Sequence, residues 1–247
     1  MIGASTDSLS MKRIGIIAII IVSLPLGVQA QRLTFGPEAG AGFNWHEVEV
    51  TQGLEKKGEI TRTSAFRGGA ALEYSPWSWF RLSSGLFYTV KGTKAYPRGI
   101  GLPLTGGGLS YSSLELPLNL SYQKKYKSGN TFFAGAGAYM GYGINGTLRK
   151  QYWPAGAGRS SEPVQWGNDS GDHIRRIQWG LQLQTGWIHR SGILARFTAQ
   201  TGFNDAPKGN ITADKGIVTV YNRLYIALTV GYQFNYHQSP KAKDHEK

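Results

Sequence analysis

The chain has 247 residues, 34 glycines, no cysteine and a formal net charge of +12. The absence of cysteine excludes disulfides, thiolate metal sites and a lipid-modified cysteine. The mean hydropathy of −0.29 argues against a bundle of transmembrane helices. The basic residues are scattered and form no stripe with interleaved aromatic residues, so the charge does not predict nucleic-acid binding.

Residues 11–30 have the three parts of a secretory signal peptide, namely two basic residues, an apolar run and a small-residue end at Ala30. The apolar run is short and is interrupted by Pro25, which disfavours a spanning helix. We predict cleavage after Ala30. Because Met11 directly precedes the basic residues, we interpret residues 1–10 as an N-terminal extension upstream of the natural start.

After the signal, eight stretches alternate apolar and polar residues at every second position. The clearest is LELPLNLSY at 114–122, in which leucines alternate with Glu115, Pro117, Asn119 and Ser121. Successive side chains of a strand point to opposite faces, so this period predicts strands with one apolar and one polar face. The predicted strands are about 33–46, 63–74, 79–91, 110–123, 131–146, 174–189, 193–204 and 221–236.

These strands are long enough to cross a bilayer, which takes about 9–11 residues of tilted strand. A sheet in lipid must close because every backbone polar group needs a partner. An even strand number is the rule for bacterial single-chain barrels, and aromatic residues cluster near the strand ends as interface girdles do. We predict an all-β fold over residues 31–236: an eight-stranded antiparallel up-and-down transmembrane β-barrel in the bacterial outer membrane.

The connections between the predicted strands alternate strictly between short and long. The short ones are 75–78, 124–130 and 190–192, and the long ones are 47–62, 92–109, 147–173 and 205–220. Short turns of such barrels face the periplasm, so both termini are predicted there. Residues 237–247 are charged and patternless, and we interpret them as a disordered periplasmic tail. The positive net charge suits contact with outer-membrane lipids and lipopolysaccharide.

The polar faces of the strands carry both carboxylates and cations. An eight-stranded barrel is only wide enough for its own side chains, and buried charges must be paired. We therefore predict a plugged polar lumen with a structural ion network and with no cofactor or metal. If any cations lie unpaired at the wet rims, Lys91 and Arg176 are the first candidates. The predicted network consists of Glu38, Arg67, Glu73, Arg81, Glu115, Arg196 and Arg223.

Several of these stretches resemble the PorT-like outer-membrane barrels of Bacteroidetes. They are FGPEAGAGFNW from residue 35, LELPLNLSY at 114–122, FFAGAGAYMGYGING at 132–146 and the closing LYIALTVGYQF. The resemblance covers about residues 31–236 and implies the same eight-stranded barrel and location. It also implies a possible link to protein secretion, and it carries over no functional residues.

The predicted function is non-enzymatic: an accessory, interaction or structural subunit, with a secretion or envelope complex as one setting. Loops 93–109 and 147–173 are the predicted partner surface, since exposed loop aromatics favour contact with a partner. The candidate residues are Tyr152, Trp153 and Trp166. These rings could instead rest on the membrane interface or cap the barrel.

Three alternatives remain open at this point. A lipid A-modifying enzyme would need a serine within reach of an oriented base, and its candidates are His46, His173, Ser110 and Ser112. A stand-alone surface-binding barrel and a passive pore are the other two alternatives.

Overall fold

The computed structural model describes residues 33–52, 55–95, 104–152, 159–167, 174–203, 211–213 and 216–234. The predicted signal peptide, the N-terminal extension and the tail at 237–247 lie outside these residues. Within the described ranges, no helix has the length and apolar character needed to cross a membrane.

The described chain is all β. Its strands are β1 (Leu33–Gln52), β2 (Glu55–Trp77), β3 (Phe80–Ala95), β4 (Leu104–Lys125), β5 (Thr131–Tyr152), β6 (Arg159–Pro163), β7 (Ile177–Ile188), β8 (Ile193–Gly202), β9 (Ile211–Ala213) and β10 (Gly216–Tyr232).

Eight of these strands form a closed ring in the order β1-β2-β3-β4-β5-β7-β8-β10, and β10 pairs with β1 to close it. Every pairing between them is antiparallel. The short strands β6 and β9 lie off the ring and add to β5 and β10 respectively. The predicted all-β antiparallel barrel is therefore confirmed, with two short strands that the alternation did not predict.

One end of the barrel, here called the turn end, carries the short connections after β2, β4 and β7, together with Leu33 and Phe234. Gly129 and Gly192 lie in two of these turns with positive φ values of 85° and 93°. Their amides donate to the carbonyls of Tyr126 and His189, at 2.9 Å in each case. A side chain at either glycine would be strained, because the left-handed region disfavours a Cβ atom.

The opposite end, here called the loop end, is more regular than predicted. The β1–β2 ladder continues to Gln52↔Glu55, and the β4–β5 ladder continues to Leu104↔Tyr152. The predicted long connection at 47–62 is instead strand at 47–52 and 55–62. Segment 55–62 carries mostly polar residues on both faces, so the alternation that marks a half-buried strand is lost although the strand continues.

Three bulges change the register near the loop end. In β4, the partner of β5 moves from Gly106 to Leu104, which leaves Thr105 as the extra residue. In β10, the partner of β1 moves from Leu224 to Asn222, which leaves Arg223 as the extra residue. In β5, the partner of β4 moves from Gly143 to Asn145, which leaves Ile144 as the extra residue. A bulge shifts the inward and outward positions of the residues beyond it.

Candidate functional site

The outer surface of the barrel is apolar and its interior is polar. Along β7, exposed residues from Ile177 to Leu183 alternate with the buried residues Gln178, Gly180 and Gln182. Leu183 is 61% exposed, whereas its neighbour Gln182 is 1% exposed. From Ile177 to Trp187, a strand tilted by about 40° covers about 26 Å along the barrel axis, close to the ~25 Å apolar band of membrane barrels.

Aromatic pairs border this belt at both ends. At the turn end, the pairs are Trp77–Trp79 at 5.6 Å, Tyr126–Trp187 at 5.5 Å and Phe35–Phe234 at 5.5 Å between ring centroids. Toward the loop end, they are Phe43–Trp45 at 6.0 Å and Trp179–Phe203 at 5.1 Å. Such rings suit the interface between lipid tails and headgroups.

The interior holds two groups of ion pairs. The first, here called the Glu73 cluster, consists of Glu38, Glu73, Arg81 and Arg196, all buried. Arg81 Nε lies 2.7 Å from Glu73 Oε2, and Arg196 Nη2 lies 2.9 Å from Glu38 Oε1. Arg196 also contacts the Glu73 carboxylate, so Glu73 is shared by both guanidinium groups. Two carboxylates thus face two guanidinium groups across β1, β2, β3 and β8.

Neutral side chains complete the Glu73 cluster. Ser83 donates to Glu73 Oε2 at 2.5 Å. Arg81 Nη2 donates to Gln233 Oε1 at 2.8 Å, and Arg196 Nη1 donates to Gln184 Oε1 at 2.9 Å. Both guanidinium groups also lie over the Phe133 ring, at 5.0 and 5.4 Å from its centroid. Most of the polar atoms in the cluster are therefore paired without water.

The second group, here called the Glu115 cluster, consists of Glu115, Arg67 and Lys91. Lys91 Nζ lies 2.7 Å from Glu115 Oε1, and Arg67 Nη1 lies 3.5 Å from Glu115 Oε2. Gln200 Nε2 donates to Glu115 Oε2 at 3.1 Å. The Lys91 ammonium also lies 4.9 Å from the centroid of the Tyr225 ring.

The structure thus brings together six of the seven predicted lumen residues. The side chain of Arg223 lies outside the described residues, at the bulge in β10. Lys91, considered as an unpaired rim residue, is instead buried and paired, because β3 continues four residues beyond its predicted end. Arg176 is exposed on the outside, with its guanidinium 5.6 Å from the Tyr142 ring centroid, and does not belong to the lumen.

An apolar cap covers the interior at the loop end. It consists of the buried residues Leu109, Tyr111, Leu148, Val164 and Ile174, with Trp166 packed against them. The bulge at Ile144 turns Leu148 inward. The β5–β6 ladder continues to Val164, whose backbone N donates to Gly146 O at 3.0 Å. The Trp166 and Tyr111 rings meet edge to face at 6.2 Å.

Trp166 is partly buried against this cap, in agreement with the capping alternative, and its role in partner binding stays a prediction. The side chain of Tyr152 and the whole of Trp153 lie outside the described residues. The sequence did contain a signal for the cap, since Val164 and Trp166 are apolar residues at alternate positions in a polar loop.

Replacing Gly143 with alanine is expected to displace the cap while the barrel stays folded. A Cβ atom there would lie 2.0 Å from Cζ3 of Trp166, the far end of a side chain that can swing away. We expect faster trypsin cleavage within 159–175 and an unchanged heat-modifiable mobility on gels. The matched control is Gly141→Ala, whose Cβ would meet no atom closer than 3.6 Å. Equal cleavage of the two variants would contradict this position of Trp166.

Of the four residues proposed for lipid-modifying chemistry, His46 and Ser112 contact asparagine side chains instead. The Nε2 atom of His46 lies 3.0 Å from Asn44 Nδ2, and the Ser112 hydroxyl contacts the Asn145 side-chain oxygen. Ser110 is exposed, and His173 lies outside the described residues. Within the described ranges, no group of three or more His, Asp and Glu side chains is arranged to hold a metal ion.

No protein-family model matches the chain, and no curated protein sequence matches it. Similar solved structures include Neisserial surface protein A, at 11% identity over 81% of this chain and 97% of that chain, with a TM-score of 0.36. The attachment invasion locus protein Ail of Yersinia pestis is 12% identical over 80% and 98%, with a TM-score of 0.28. The translocator domain of the autotransporter NalP from Neisseria meningitidis is 9% identical over 92% and 98%, with a TM-score of 0.30.

Proposed function

We propose that this chain is a closed outer-membrane β-barrel that acts without catalysis, as an accessory or structural subunit of an envelope assembly. The observation that carries the proposal is the reversed polarity of the barrel. Leucines such as Leu116, Leu181 and Leu228 point outward, while the charges of both clusters are buried inside. This arrangement is unfavourable in water and favourable in lipid.

The closed interior favours a structural role over a passive pore. The Glu73 and Glu115 clusters cross the lumen, and the apolar cap covers its loop end. Toward the turn end, Phe133, Ile188 and Leu194 form a further buried apolar cluster. A solute would have to break these ion pairs and move the cap in order to pass.

Two exposed arginines favour contact with anionic lipid headgroups at the loop end. Arg62 lies 4.8 Å from the Phe43 ring centroid, and Arg176 lies 5.6 Å from that of Tyr142. Both pairs stand on the outer surface near the loop-end limit of the apolar belt. With the loop end outward, they would face the phosphate groups of lipopolysaccharide, and both termini would be periplasmic.

The ladders that extend past the apolar belt are the partner surface in this proposal. The β1–β2 and β4–β5 pairs project beyond the belt at the loop end. The resemblance of 114–122 and 132–146 to the PorT-like barrels favours a secretion assembly as the setting. In that case the loop end would contact another subunit, and the barrel would anchor it.

The proposal is tested in a bacterium that has an outer membrane. We expect the protein in the outer-membrane fraction, a heat-modifiable mobility on gels and no steady conductance of the purified barrel in planar bilayers. A photo-crosslinker at Ile60, on the loop end, should capture one defined partner, while the same group at Lys127, in a short turn, should not. A soluble product would overturn the membrane assignment, and identical crosslinks at both sites would overturn the partner surface.

A further inference from the structure

The Glu115 cluster carries more positive than negative charge. Arg67 and Lys91 share the single carboxylate of Glu115, whereas the Glu73 cluster sets two carboxylates against two guanidinium groups. Among the described inward side chains, the interior therefore has one cation in excess. A buried cation is strongly unfavourable without a counter-charge, since it has lost its hydration.

Polar groups without partners lie beside this excess charge. Arg67 pairs with Thr89 across β2 and β3, and Thr89 pairs with Ser113 across β3 and β4. Directly opposed residues of neighbouring strands have adjacent side chains, so these three form a row on the inner wall. All three are buried. Thr89 Oγ1 and Ser113 Oγ have no hydrogen-bond partner among the described residues, and Arg67 Nη1 makes only the 3.5 Å ion-pair contact with Glu115 Oε2.

A neighbouring side chain adds a further donor beside this row. Gln178 and Glu115 both pair with Gly141, and the side-chain amide of Gln178 has no partner among the described residues either. Gly143, the partner of Ser113, lies against the Trp166 ring of the apolar cap. The row thus lies between the cap and Glu115. Its guanidinium group and its two hydroxyl groups can all donate hydrogen bonds.

We propose that the row of Arg67, Thr89 and Ser113 binds one small anion of the halide class, which balances the Glu115 cluster. A monatomic anion accepts hydrogen bonds from any direction, so it can take one from the guanidinium and one from each hydroxyl. The site requires only the folded interior, so it does not depend on the proposed function.

The decisive experiment uses crystals of the full barrel grown in sodium bromide, with data collected at the bromine absorption edge. We expect an anomalous peak in contact with Arg67 Nη1 and the two hydroxyl groups. In detergent solution, a tenfold rise in bromide at constant ionic strength, set with gluconate, is expected to raise the melting temperature by about 3–5 °C once the site is near saturation.

Two variants separate the site from general stability. Arg67→Met should abolish both the peak and the bromide dependence, whereas Arg81→Lys in the Glu73 cluster should lower the melting temperature and keep the dependence. If Arg67→Met does not fold, Ser113→Ala serves instead and should need a higher bromide concentration for the same shift. No bromide peak in the wild-type row would overturn the proposal, because ordered water would then suffice for these donors.

Discussion

Replacing Glu73 with alanine is expected to destabilise the folded barrel by about 3–5 kcal/mol, the usual cost of removing one partner of a buried ion pair. Glu73 is the carboxylate that Arg81 and Arg196 share, and Ser83 also donates to it. Its loss leaves two buried guanidinium groups facing Glu38 alone. The measurement is the urea midpoint of folding into detergent micelles or vesicles, followed by the change in gel mobility.

A charge-balanced double variant is the control for the Glu73 prediction. In Glu73→Gln with Arg81→Met, one carboxylate and one cation disappear together, and the Arg196–Glu38 pair at 2.9 Å remains. The double variant should be more stable than Glu73→Ala, since no guanidinium is left without a counter-charge. If the double variant were the less stable of the two, the cluster would not be held together by charge pairing.

Replacing Leu183 with arginine is expected to impair membrane insertion, at a cost of about 2–4 kcal/mol for a cation at the bilayer midplane. Leu183 is 61% exposed near the middle of the apolar belt on β7. In a soluble protein, a surface substitution of this kind would usually change stability by less than about 0.5 kcal/mol. The measurement is the fraction of protein that folds into lipid vesicles as the urea concentration falls.

Ile60→Arg is the matched control for Leu183→Arg. Ile60 is 69% exposed, more than Leu183, but it stands on β2 beyond the belt at the loop end. It should insert as the wild type does, because the cost of a cation falls to about 0–1 kcal/mol near the interface. Equal insertion of both variants would show that the exposed leucines do not face lipid.

The side-chain alternation by itself determined the approximate positions of the eight ring strands and which residues share their polar faces. These are local properties, because alternation at every second residue identifies the residues that share a face, whatever the position of the strand in the fold. The same alternation placed Glu38, Arg67, Glu73, Arg81, Glu115 and Arg196 on one face. In a narrow closed barrel, that is enough to bring such side chains together.

Only the tertiary structure decided which carboxylate each cation meets, where the strands end and what covers the interior. Lys91 is buried because β3 continues past its predicted end, where no apolar face marks the strand. Trp166 packs against the cap because the bulge at Ile144 turns Leu148 inward, which creates an apolar surface for the returning chain. Bulges and chain reversals depend on contacts between distant segments. The side-chain alternation within one strand therefore does not predict them.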